Sequence, residues 1–175
     1  MNEALESRLA EMAGGPFWQF SLAFYGRDGV AETCLRLQDE QGLDVNLVLF
    51  CLWAGSRGQR LEAEHFALIA AEAATWQQEV VAPLRQVRRW LKGKGQGEAS
   101  MQDALRQVIK EQELRAEAIE QERLAGHLVG QAGSADPAIA AANFRLYLQQ
   151  QKKPQDEAIE SMHNKLLEAF EAFFD

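Results

Sequence analysis

The chain has 175 residues with 47% hydrophobic and 25% charged side chains, the proportions of one ordinary globular domain with a sizeable core. Its formal net charge of -8 sets most of its surface against nucleic acid and anionic lipid, so neither is an expected partner overall. The longest strongly apolar run, Leu47 to Ala54, is far short of the roughly 20 residues that span a bilayer, so no membrane insertion is expected.

The segment Met1 to Met12 is polar and amphipathic, without the apolar stretch of a signal peptide, and a cytoplasmic location is expected. Gly14, Gly15 and Pro16 open a helix over about Pro16 to Tyr25, rich in aromatic residues. Asp28-Gly29 marks a turn, and Val30, Cys34 and Leu37 then recur at helical spacing until Gly42. Asp44 is a suitable N-cap for a third helix, Val45 to Ala54. Being apolar all round, that helix is expected at the centre of the core, and a buried Asn46 on it needs hydrogen-bond partners.

A long helical stretch follows from near Leu61 to Leu91. Pro83 inside it removes one backbone bond and should kink or divide the helix. A Gly-rich loop at 93–99 separates an N-terminal from a C-terminal helical half. Ser100 caps the next helix, whose middle, Lys110 to Arg123, is mostly polar; it is expected to project from the core or to dock a weak apolar stripe on a partner. The last helices cover about Ala138 to Gln151 and Pro154 to Phe174, the final one striped by Ile159, Met162, Leu166, Phe170 and Phe173. The fold class is therefore all-α, a single-domain bundle of about six to eight helices. Cys34 and Cys51 lie in apolar helical stretches without metal or redox spacing and are expected to be buried thiols.

The stretch Phe17 to Trp53 carries Phe17-Trp18, Phe20-Ser21, Tyr25, Gly29-Val30, Cys34-Leu35, Leu37-Gln38, the run Gly42 to Asn46, and Leu49-Phe50. In these residues it resembles the opening of a bacterial family of conserved hypothetical proteins. The resemblance covers roughly the first third of the chain. It implies an all-helical fold and a place inside the cell, and it supplies no catalytic residues.

Three groups of residues could carry function. Gln38, Asp39, Asp44 and Asn46, with Glu40, gather polar groups at the joint between two apolar helices. A capped turn is the expected reading, and a weak divalent-cation pocket on Asp39 and Asp44 is the alternative. Glu62 with His65 and Glu160 with His163 form two Glu-x-x-His pairs, the spacing used by di-iron and di-manganese bundles. Arg85, Arg88, Arg89, Lys92 and Lys94 fall within ten residues that contain no acid. Such a face suits an anion or an acidic protein surface, unless it pairs with the chain's own C-terminal helix through Glu157, Glu160, Glu168 or Glu171.

Gly93 to Gly97 lacks the spacing of a phosphate-binding loop, and there is no Gly-x-Ser-x-Gly elbow. The expected function is thus a non-enzymatic interaction or adaptor protein, with a protein partner or self-association and no cofactor. A metal-dependent helical-bundle enzyme using a divalent metal is the alternative. A binder of an apolar small ligand, using the aromatic core, is a further one.

Overall fold

The computed structural model describes residues 14–92, 101–130, 132–153 and 156–174. Every regular element among them is helical: α1 Pro16–Tyr25, α2 Val30–Gln41, α3 Val45–Ser56, α4 Ala63–Trp76, α5 Ala82–Leu91, α6 Met101–Ala125, α7 Pro137–Gln150 and α8 Glu157–Phe174. The Gly-rich loop at 93–99, Lys94 within it, the Ser100 cap and Met1 to Met12 lie outside the described residues.

The apolar α3 is the hub. From Asn46 to Gly55 it is buried continuously, and α1, α2, α6 and α7 pack around it. Phe17 of α1 stacks on Trp53 at 4.9 Å, and Phe50 stacks on Phe66 of α4 at 6.4 Å. Its closest neighbour is α7. A Cβ on Gly55 would stand 2.5 Å from the Cβ of Ala140, so only a glycine lets the two backbones meet there. The stripe of α8 packs where expected, with Ile159, Met162, Leu166 and Phe170 buried. Both cysteines are free, buried thiols, and burial pushes Cys34 up to about 12.

Two local devices position the site. Gly42, at φ +64°, ends α2; its N–H donates to the Gln38 carbonyl while that of Leu43 reaches the Leu37 carbonyl. This tight turn delivers Asp44 to the N-terminus of α3, where its Oδ1 accepts from the Asn46 N–H at 2.8 Å. The second device joins α4 to α5. The stretch is divided near Pro83, as expected: between α4 and α5 the residues Gln77–Val81 form a π-helical turn, with the Ala82 N–H donating to the Gln77 carbonyl. Proline cannot donate to the carbonyl four residues back, and a wider turn accommodates the displaced bonds.

The helix α6 differs from expectation. Its part near Lys110 to Arg123 does not project: Glu113, Ala116, Ala118, Glu120, Gln121 and Leu124 are buried. Trp76 donates its indole N–H to the Ala116 carbonyl at 2.9 Å, and Arg123 lies over the Trp76 ring. The earlier turns of α6 are the exposed ones, at Met101, Leu105 and Val108, and α6 meets α5 in a hairpin whose ion pairs lie farther along, at Glu113 and Glu117.

Candidate functional site: a cavity with a buried polar wall

Between α1, the α2–α3 joint, the π-helical turn, α5 and α6 lies a cavity of about 850 Å³. Trp18, Leu22 and Tyr25 of α1, with Leu43 and Leu47, supply apolar and aromatic surface. Opposite them stand two polar layers, graded by burial.

The outer layer is an ion-pair network across the α5–α6 hairpin. Arg85 donates to Glu113 at 2.9 Å, to Glu117 at 2.8 Å and to the Gln38 amide oxygen at 2.9 Å. Arg88 grips Glu113 with two further bonds. Burial pushes the Glu113 carboxyl up, but its bonds to Arg88 and Arg85 outweigh that and hold it below the usual carboxylate range. Glu117 is raised by burial despite its contact with Arg85. Farther out, Arg89 meets Asp39 at 3.3 Å, both more than half exposed.

In the inner layer Ser21, Asn46, Glu120 and Gln121 are buried, while Gln77 and Asp44 are half-buried. Ser21 donates to Gln121 at 2.9 Å, Gln121 donates to Asn46 at 2.8 Å, and Asn46 donates to Glu120 at 3.0 Å. Gln77, turned inward by the π-helical geometry, donates to the same Glu120 oxygen at 2.7 Å. Glu120 is only 1% exposed. Its other oxygen, Oε1, and the Asp44 Oδ2 are both buried with no donor from another of the described residues, and the two carboxyls bond to each other through a proton. Burial, and then the neighbouring Asp44 charge, push Glu120 up to about 9, and burial raises Asp44 as well. Tyr147 of α7 accepts the Asp44 backbone N–H at 2.9 Å and closes the joint from below. At neutral pH these two carboxyls hold a proton in place of a counter-ion.

Residues 16–124 match the family described as a protein of unknown function, DUF2390. The chain belongs to this family. No curated protein and no solved structure matches the chain. The DUF2390 segment runs from α1 through nearly all of α6, and it contains every residue of both polar layers; of the cavity wall only Tyr147 and Gln151 lie beyond it.

The residues singled out from sequence fall into place unevenly. Gln38, Asp44 and Asn46 do meet at the cavity, and the buried Asn46 finds its hydrogen-bond partners on α6. Asp39 stands apart, on Arg89 at the surface, so it does not join Asp44 around a cation. Of the basic face, Arg85 and Arg88 are not free to meet a partner. Their acids come from α6, Glu113 and Glu117, and not from the C-terminal helix, where Glu160 instead pairs with Arg145 at 3.1 Å. Lys92 lies exposed just past α5.

The two Glu-x-x-His pairs have unlike surroundings. Glu62 is an exposed residue at the start of α4, and His65 is exposed beside His127, with 5.7 Å between ring centroids. His127 in turn contacts Glu72 at 3.2 Å. His163 is buried on α8 against Phe144, and burial lowers its pKa. Among the described residues, no group of three or more His, Cys, Asp or Glu side chains is placed to hold a metal ion.

Glu113, Gln121 and Gln77 were not singled out from sequence, Ser21 only as part of the family resemblance, and Glu117 and Glu120 only as possible further ligands, with Glu72 and Glu79, for the di-metal alternative. One signal was available. Glu113, Glu117, Glu120 and Leu124 stand at spacings of four, three and four along α6, the rhythm of a core-facing stripe written in acids.

Proposed function

We propose that this member of the DUF2390 family binds a small organic molecule in the cavity between α1, α3 and the α5–α6 hairpin. The observation that carries this reading is the inner polar layer. Protein interiors pack densely and satisfy their polar atoms. Here a cavity of about 850 Å³ is retained against Asp44, Asn46, Gln77 and Gln121, with Glu120 buried behind them. A pocket of this size, with apolar walls and a few convergent polar groups, is the usual form of a ligand site.

Native mass spectrometry of the protein freshly isolated from its own cells tests the reading. A bound organic mass is expected, and it should be lost when the cavity is obstructed by Ala74→Trp, a wall position whose side chain is exposed. A bare polypeptide mass from both proteins overturns the proposal.

A second reading is protein interaction, supported by a separate observation. Met101, Leu105 and Val108 of α6 and Val87 of α5 are 45–90% exposed on one hairpin. Self-association through this face would appear as an oligomer in light scattering that Leu105→Glu/Val108→Glu dissociates. A monomer in both proteins removes that reading. We place either function in the cytoplasm, in keeping with the acidic composition and the two unbridged thiols. No helix among the described residues is long and apolar enough to cross a membrane.

A further inference from the structure

The carboxylates facing the cavity are not treated alike. Glu113 is held by Arg85 and Arg88, and Glu117 by Arg85. Two guanidiniums therefore answer two carboxylates in the outer layer, which is close to neutral as a unit. Arg89 is taken up by Asp39 at the surface, and Lys110 stands exposed on α6. Asp44, with Glu120 behind it, has no cationic side chain within hydrogen-bond reach among the described residues. Its neighbours are amides and a phenol: Asn46, Gln77, Gln121 and Tyr147. Asp44 lines the cavity, and Glu120, 1% exposed, stands behind it off the cavity wall and bonds to it.

From this arrangement we infer that the cavity takes an organic cation, an amine whose ammonium lies on the Asp44–Glu120 pair and whose apolar body lies against Trp18, Tyr25 and Leu47. The inference rests on the small-molecule reading above and names the ligand's class. An ammonium carries three donors and no acceptor, which suits an acidic pair that meets the cavity at Asp44 with no cationic side chain among the described residues to answer it. Aromatic walls stabilise a cation further through their ring faces. A bare divalent ion fits less well: it asks for six or more oxygens, and two carboxyls with no third acid do not provide them. An anion is disfavoured, because the arginines are already engaged and the unanswered charge is negative.

The test is isothermal titration calorimetry on the full chain at neutral pH with three probes of like shape: 2-phenylethylamine, 2-phenylethanol and phenylacetate. The amine should bind at least tenfold more tightly than the alcohol, and phenylacetate more weakly than either. The double variant Asp44→Asn/Glu120→Gln keeps the shape, the hydrogen-bonding capacity and a good N-cap at position 44. It should lower amine affinity at least tenfold and leave the alcohol within twofold. If the alcohol binds as tightly as the amine to the natural chain, the cation assignment is overturned and the cavity reading stands. If amine affinity survives the double variant, the cation does not sit on this pair and the inference is again overturned. If none of the three binds, both the inference and the cavity reading are overturned. The charge series on the natural chain decides the question even if the double variant fails to fold.

Discussion

The crossing of α3 with α7 and the pairing of α5 with α6 are both helix contacts, held together by different physics. The first is dry. Gly55 and Ala140 let two backbones approach, and the surrounding Leu, Phe and Trp side chains are buried. Each large side chain so buried contributes about 1.5–3 kcal/mol, with no geometric demand beyond shape. The second contact is ionic. Arg85 and Arg88 span to Glu113 and Glu117, while apolar residues on the same hairpin stay exposed. Its stability depends on each charge keeping its partner, because burying charge costs more than pairing always returns. The dry crossing serves as scaffold, and the ionic pair builds a wall whose chemistry is conditional. Ligand sites are expected on walls of the second kind.

That difference can be broken at either end. The largest effect is expected at the crossing. In Gly55→Val, the added carbons would meet the backbone of Ala140, whose N and Cα already stand 2.7 and 2.6 Å from a Cβ at this position. Backbone cannot give way as a side chain does, so a loss of about 3 kcal/mol or more is expected, at or beyond the upper end of overpacking. Urea unfolding at constant slope measures it. Gly55→Ala should cost about 1–3 kcal/mol by the same mechanism. Neither change should depend on salt.

Next comes the hairpin. Glu113→Ala leaves Arg85 and Arg88 without their shared partner. Breaking a buried pair costs about 3–5 kcal/mol, but these guanidinium side chains are 20% and 26% exposed, so water recovers part of it. About 2 kcal/mol is expected, read by the same urea titration and reduced in high salt. Equal costs for Glu113→Ala at low and high salt would show that the hairpin is held by packing rather than by charge.

The dry half of the molecule was legible in the sequence and the polar half largely was not. Pro16, Gly42, Asp44 and the apolar run after Val45 each act through neighbours in the chain, and the helix boundaries they mark are those observed. Asn46 announced itself as a polar residue on an apolar helix. Its partners did not, because Glu120 and Gln121 are 74 and 75 residues away. Periodicity treats a Glu as a vote for solvent. On α6 the stripe positions 113, 117 and 120 carried three such votes, so the segment read as projecting when it is buried against other polar groups. The basic run of α5 was visible for the same local reason, and its partners were sought on the wrong acidic helix. Pro83 marked the division correctly, but the π-helical form it takes, and the bond from Gln77 to Glu120 43 residues away, are not recorded by any local pattern.

A smaller effect, of opposite sign, is expected in the inner layer. Glu120 is raised from an ordinary 4.5 to about 9 in the folded chain. Between those values the native state holds a proton that the unfolded chain has released. Stability therefore falls as pH rises across this window and levels off above it. Asp44 and Glu117, also raised by burial, push the same way, while Glu113, held low, gives stability that is lost only on the acid side. Glu120→Gln reproduces the protonated form. It should match the natural chain near pH 5 and exceed it at pH 8 by more than about 1.4 kcal/mol, the equivalent of one pKa unit. Thermal melting across pH measures the gap. A constant gap would mean that the site does not titrate in this range.

The smallest effect separates the outer pair from the rest of the wall. Asp39 and Arg89 are 57% and 56% exposed and meet at 3.3 Å, so water already screens both. Asp39→Asn should change stability by less than about 0.5 kcal/mol, within the range of exposed ion pairs. It should also leave amine affinity unchanged, because Asp39 does not share the enclosed space of Asp44. A loss comparable with that of Glu113→Ala would show that the ion-pair network extends to the surface as one cooperative unit. The division of the outer layer into an exposed rim pair and a charge-balanced network behind it would then have to be redrawn.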